Sequence, residues 1–281
     1  MADRARVREL MLGVEGLALM RSAIDGDEDF IAARIDEISK ISAPDTAAIP
    51  PVELLSELDV ATGYRVWSEN YDSLPNFFLT AEEPVVAGLL ADLPPGQALD
   101  AACGTGRHTT GLVARGHEVI GVDQSPEMMR RAKTKVPSAE FRIGDLERLP
   151  VTDHAVDLAV CALALSHLND IGPAIGEFRR VLRPGGRLIV TEVHPMMVLL
   201  QGPALFSHKP GELAFIRYHA HLASEYLAAF AEHGFAVRSC HEPLFTGPLA
   251  PGGYEELIPE AANAAWAGLP VVIVWEAEAI E

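Results

Sequence analysis

"ALDAACGTGRHTTG", residues 98–111, is the stretch on which the reading of this chain turns. A short apolar run carries one acid, Asp100, and then breaks into small residues around Gly104 and Gly106. A run this short bounded by glycines fits a buried strand, and glycines directly after a strand let a ligand approach the peptide groups with no side chain in the way. In an open α/β sheet such a loop lies at the carboxyl ends of the strands, where ligands bind.

The sequence on either side agrees with a sheet of that kind. From Gln97 onward the β-rich runs "QALDAA", "HEVIGVD", "AEFRIGD", "VDLAVCAL" and "GRLIVTEV" alternate with helix-length segments. This alternation predicts crossover connections and a doubly wound α/β domain, its mostly parallel sheet covered on both faces. After Val193 the rhythm loosens into "HPMMVLLQGPALFSHKPGE". It resumes as helix "ASEYLAAFAEHG" with Gly234 at C′, strand "FAVRSCHE", a loop rich in Pro and Gly, and a closing apolar run "LPVVIVWEAEAIE". Upstream, helical spacing from Ala5 to Ile41 predicts two helices split at "IDGDED", with Asp27 as N-cap. A proline-rich linker, Ser42 to Pro51, and a short helix, "VELLSELD", follow. The expected organisation is a helical N-terminal extension over residues 1–58, acting as a lid or dimer contact, and a ligand-binding domain over 59–281 with an insertion around 194–222.

Composition narrows the partners. The 281 residues are 49% hydrophobic, enough for one large core. With 22 Lys+Arg against 40 Asp+Glu, the net charge of −18 argues against nucleic acid and anionic membrane. No apolar stretch reaches the roughly 20 residues of a membrane span, and Glu9 and Glu15 interrupt the faintly signal-like N-terminus, so a cytoplasmic protein is expected. Cys103, Cys161 and Cys240 form no C-x-x-C pair, which speaks against a disulfide scaffold or zinc knuckle.

Three ligands suit a glycine loop. A nucleoside triphosphate wants G-x-x-x-x-G-K-[ST], and no lysine follows Gly106 in the loop. A nicotinamide dinucleotide wants G-x-G-x-x-G/A, and Thr109 stands at the third small position. The third ligand is S-adenosylmethionine. "LDAACGTGRHTTGL" resembles the first motif of the class I S-adenosylmethionine-dependent methyltransferases, in their small-molecule branch. "VIGVDQSPEMM", "FRIGDLERLPVTDHAVDLAV" and "EFRRVLRPGGRLIVTEV" resemble the motifs that follow, in the same order over Leu99 to Val193.

That resemblance implies a seven-stranded Rossmann-like sheet and a set of cofactor residues. Asp123 is expected to take the ribose hydroxyls, with Gln124 and Met128 beside it. Asp145 is expected to meet the adenine amino group, with Gly144 and Leu146 along the ring. Asp100 is expected to act through the cofactor's amino group or by ordering the loop, while Ala102, Gly104, Gly106 and Ala162 leave the backbone open. "ENYDSLPNF", with Tyr71, resembles the segment that folds over the cofactor in relatives.

Methyl transfer from a sulfonium needs alignment and dryness, and a base only where the acceptor holds a proton of high pKa. His167 and His194 follow the fourth and fifth strands and are the candidate bases, with Glu192 a third. "RYHAHL" puts His219 and His221 on one face if it is a strand, without the third ligand a metal site needs. "PMMVLLQGPALF" is expected either to line an apolar acceptor pocket or to cover the sheet as a core helix. The apolar stripe over residues 7–18 is expected to shape that pocket or a homodimer contact. The function these readings favour is methylation of a hydrophobic or aromatic small molecule at a hydroxyl oxygen. A cyclase, or a regulatory or scaffold protein on the same fold, would carry the same motifs.

Overall fold

The computed structural model describes residues 4–43, 54–73, 76–200, 204–209, 212–247 and 257–280. Most of the proline-rich segment Ser42 to Pro51 lies outside them. Seven strands form the main sheet: β3 (Gln97–Ala101), β4 (Glu118–Asp123), β5 (Glu140–Ile143), β6 (Val156–Ala162), β7 (Leu182–Val193), β10 (Phe235–His241) and β11 (Val272–Ala279). Their order is β10-β11-β7-β6-β3-β4-β5. The five central and flanking strands β7, β6, β3, β4 and β5 run parallel, and β11 pairs antiparallel with both β7 and β10. The doubly wound, mostly parallel, seven-stranded sheet expected from the sequence is therefore present. The chain leaves β3 toward β4 on one side and later enters β6 on the other, so the order reverses between β3 and β6 and opens a crevice at their carboxyl ends.

Both faces are covered, which explains why the strands read as nearly continuous apolar runs. Leu158, Val160, Val272 and Val274 pack on one face with Leu112 of α5 (Arg107–Ala114), Val86 and Leu90 of α4 (Phe77–Ala91), and α10 (Pro259–Trp266). Ala159, Cys161, Ile273 and Trp275 face the other way, onto Ile175 and Phe178 of α7 (Gly172–Val181) and Tyr226 and Phe230 of α9 (Ala223–Glu232). Gly234, just past α9, has φ +73 and closes that helix as expected.

Outside the main sheet the chain departs from the sequence reading at both ends. Helices α1 (Val7–Ser22) and α2 (Glu28–Ser42) form, and Asp27 caps α2 by accepting from the N–H groups of Asp29 and Phe30. The "VELLSELD" segment, however, is strand β2 (Leu54–Glu57) where a helix was expected. It pairs with β1 (Arg4–Arg6) and with β9 (Glu212–Ile216), which also pairs with β8 (Ala204–Lys209). Ladder bonds to strands distant in sequence override a local pattern that suits either state. Helix α10 was unforeseen, since its alanines sit beside a Pro- and Gly-rich stretch. It covers Met11, Val14 and Ala18 of α1, which are buried inside this chain.

No helix among the described residues is long and apolar enough to cross a membrane.

Candidate functional site

A cavity of about 240 Å³ opens at the crevice between β3 and β6. Its floor is made by sharp backbone turns at the strand ends. Ala102 follows β3 at φ 56 and Leu163 follows β6 at φ 55, and both line the cavity. With His154 they are the non-glycine residues at positive φ among those described, a conformation that costs on the order of 1–2 kcal/mol each. Gly104 has φ +53, and a Cβ there would meet nothing within 4 Å, so its bare Cα faces open cavity. Gly106, at φ +84, starts α5 but lies off the wall, and a Cβ would sit 3.3 Å from Ala132. Its role is close packing of α5 on α6 (Pro126–Lys135).

Asp123 ends β4 on the cavity wall. Its Oδ2 accepts from Gly104 N at 2.8 Å and its Oδ1 from Ser125 N at 2.8 Å. Burial pushes its pKa up, against the pull of those N–H groups. The N-cap of α6 is Ser125, whose hydroxyl accepts from Met128 N, so capping does not account for Asp123. A carboxylate offers about four lone-pair sites, which leaves two for a ligand diol. Gln124, Ser125, Met128 and Val122 line the same wall.

Asp145 lies beyond β5, exposed, accepting from Glu147 N at 2.8 Å, with Gly144 and Leu146 beside it on the wall. Gly144 is required there, because a Cβ would stand 2.4 Å from Pro150. Asp100 is buried and off the wall; Thr109 Oγ1 donates to its Oδ2 at 2.5 Å, which ties β3 to α5. Of its two expected roles, this geometry serves the ordering of the loop.

The opposite wall comes from outside the motifs. Val60, Ala61 and Tyr64 of α3 (Val60–Trp67), then Tyr71, close over the cavity against Ala162, Ala164, His167 and Leu168. Val60, Ala61, Tyr64, Val122, Ser125, Leu163, Ala164 and Leu168 were missed by sequence reasoning. Only the amphipathic pattern of "VATGYRVW" after Asp59, its N-cap, signals α3 at all. Tyr64 Oη lies 2.8 Å from His167 Nε2, and their rings meet edge to face at 5.3 Å. Burial lowers the imidazole to about 4 and raises the Tyr64 phenol well above its ordinary value.

The other catalytic candidates have structural duties. His194 does not line the cavity: it caps α8 (Pro195–Leu199) by accepting from Met196 N through Nδ1, and its Nε2 lies 3.0 Å from Glu242 Oε1. Glu192 is buried and accepts from the N–H groups of Ala164, Leu165 and Ser166, which fixes the turn Leu165–His167. Burial pushes its pKa up to about 7, against those donors.

Residues 217–222 form no strand; His221 Nε2 lies 2.8 Å from Leu168 O, and His219 N donates to Ser166 O. In the insertion, Met197 and Val198 join the core and Phe206 stacks on Trp67 at 5.0 Å. Among the described residues of the insertion none lines the cavity, and Met197 and Val198 take the core role instead.

Glu82 of α4 braces the helix after the glycine loop. It pairs with Arg107 at 2.6 Å and His108 at 2.9 Å and accepts from Thr191 Oγ1 at 2.8 Å. Burial alone would raise its pKa; the bonds from His108 and Arg107 hold it down to about 2.

Comparison with known proteins bears on this cavity. Residues 99–190 match a family model described as a methyltransferase domain. A malonyl-[acyl-carrier protein] O-methyltransferase of Pseudescherichia vulneris is 31% identical over 179 residues, 63% of this chain and 68% of that protein. An uncharacterised transposon-borne protein of Streptomyces fradiae is 41% identical over 108 residues, 36% of this chain but only 31% of its own length. The chain thus spans between about a third and two thirds of these two relatives. The crystal structure of an S-adenosylmethionine-dependent methyltransferase from Mesorhizobium loti has the same fold, with a TM-score of 0.55 at 22% identity, covering 70% of this chain and 97% of that one.

Proposed function

We propose, given that this chain belongs to the S-adenosylmethionine-dependent methyltransferases, that it methylates a hydroxyl oxygen of an uncharged apolar or aromatic small molecule. The observation that carries this reading is the composition of the wall opposite the glycine loop. Val60, Ala61, Ala164 and Leu168 are apolar, Tyr64 and His167 supply the polar atoms, and none of the described lining residues is Lys or Arg. A carboxylate or phosphate acceptor would call for a cation there.

The cavity fits the family's cofactor, S-adenosylmethionine: an open glycine faces it, and Asp123 keeps acceptor capacity for a ribose diol. When bound, the cofactor supplies an electrophilic methyl group. In this reading Asp123 holds the ribose, Asp145 with Gly144 and Leu146 flanks the adenine, and Ala102, Gly104 and Ala162 leave space along the backbone. Asp100 keeps the loop in shape through Thr109. Tyr64 and Tyr71 exclude water, and His167 receives the acceptor proton as the oxygen is methylated. Residues 59–281 form the transferase domain and residues 1–58 a docked extension. The setting is cytoplasmic.

The test is methyl transfer from deuterium-labelled S-adenosylmethionine to a panel of phenols, alcohols, carboxylic acids and amines, read by mass spectrometry. Labelling of phenols or alcohols supports the reading; labelling confined to acids or amines overturns it.

A further inference from the structure

We infer that Asp72 is a positioning residue for the cofactor: it fastens the segment carrying Tyr71 to the glycine loop and so sets how long the cofactor stays bound. Tyr71 lines the cavity on one side and Gly104 on the other. The next residue along each segment, Asp72 and Thr105, joins the two, with Thr105 Oγ1 donating to Asp72 Oδ1 at 2.7 Å. Thr105 itself is buried between Gly104 and Gly106.

A second fastening comes from α6. Lys135 Nζ, at the end of that helix, lies 2.8 Å from Asp72 Oδ2 and 3.2 Å from Thr105 Oγ1. One turn earlier, Arg131 donates to Glu69 O at 3.1 Å. The helix therefore serves the cavity at both ends: Ser125 and Met128 are on its wall, and Arg131 and Lys135 grip the segment that closes it. Burial would raise the Asp72 carboxyl; Lys135, Thr105 and Arg131 hold it below its usual range. Tyr71 stands on the cavity wall, and lifting its segment away from the glycine loop breaks the Asp72 contacts. Lys135 and Asp72 are 35% and 43% exposed, so salt weakens that pair more than the part-buried hydrogen bond from Thr105.

The inference rests on the cofactor occupying this cavity. Stopped-flow dissociation of S-adenosylhomocysteine from the full chain tests it, with association measured in parallel. Asp72→Ala should raise the release rate about 5–10-fold, the kinetic equivalent of one lost hydrogen bond, without slowing association. Asp72→Asn and Lys135→Met should give smaller rises, and Lys135→Met should remove most of the acceleration that added salt causes in the unaltered protein. These two milder variants also read the latch if Asp72→Ala does not fold. Release rates equal to the parent's in all folded variants overturn the latch alone. A parent protein that binds no S-adenosylhomocysteine overturns the cofactor site and the latch together.

Discussion

Tyr64 and His167 stand 103 residues apart in the chain and meet at 2.8 Å inside the cavity. Burial keeps the Tyr64 phenol protonated and lowers the imidazole to about 4, so at neutral pH the phenol O–H donates and Nε2 accepts. The lone pair that would take a proton is thus capped until an acceptor hydroxyl replaces Tyr64 or passes its proton through it.

His167→Gln should lower kcat by roughly 10²–10⁴ once an acceptor is in hand, with calorimetric binding of S-adenosylmethionine unchanged. The rate of the unaltered protein should fall in acid with a midpoint near 4, the value to which burial takes the imidazole. A midpoint near 6.5, or full activity in His167→Gln, would falsify the assignment.

The same group makes stability depend on pH. Unfolded histidine gains its proton near 6.5 and the folded one only at about 4, so between those values the unfolded chain binds more protons and acid destabilises the fold. The stabilisation is complete above pH 6.5 and is lost on the way down to 4, amounting to at most about 3 kcal/mol. Urea titrations of parent and His167→Gln across that range should show the gap between them shrinking toward acid. A gap that stays constant contradicts the buried, neutral imidazole.

Asp123→Ala should cost about 1–3 kcal/mol of cofactor affinity, through an unsatisfied ribose diol and a slackened Gly104 loop. Calorimetry with S-adenosylhomocysteine reads this directly, and parent-like affinity would remove Asp123 from the site.

Much of this site was legible in the sequence because backbone geometry demands particular residues. Gly104 and Gly144 stand where a side chain has nowhere to go or would block the cavity, and Asp123 ends a strand beside the first of them. The α3 wall was not legible, since Val60 and Ala61 carry no chemistry that marks them and Tyr64 matters only through a contact far along the chain. His194 misled for the opposite reason. Its type and its position after β7 suit a base, and the N–H of Met196 that claims it becomes visible only once α8 is folded. The strand Leu54–Glu57 exists through partners far upstream, in β1, and far downstream, in β9, which no local window contains.

Glu192→Ala should destabilise the protein by about 2–4 kcal/mol, because three buried N–H groups lose their acceptor. Hydrogen exchange at residues 164–166 should accelerate more than in the neighbouring strands. If exchange there matches the parent's, the carboxylate is not what holds the turn.

Arg34 bridges the extension to α10. It pairs with buried Glu15 at 3.2 Å and reaches Glu37 and Glu260 at 3.3 and 3.1 Å. Arg34→Met should cost about 3–5 kcal/mol at pH 8, because Glu15, held at about 7 with Arg34 beside it, is pushed higher still once Arg34 is gone and must either stay charged without its partner or take up a proton. The loss should be smaller at pH 5, where Glu15 is protonated; thermal unfolding at both pH values checks this.

The seating of α1 on α10 also fixes an order of events during synthesis. Met11, Val14 and Ala18 emerge early, while Ala261, Ala262 and Ala265, which cover them, come more than two hundred residues later. At about 5–20 residues per second the stripe waits roughly 12–50 s without its α10 cover, so α1 completes its docking as a late folding step. A ribosome paused between α2 and α10 would hold the protein at its most adhesive stage.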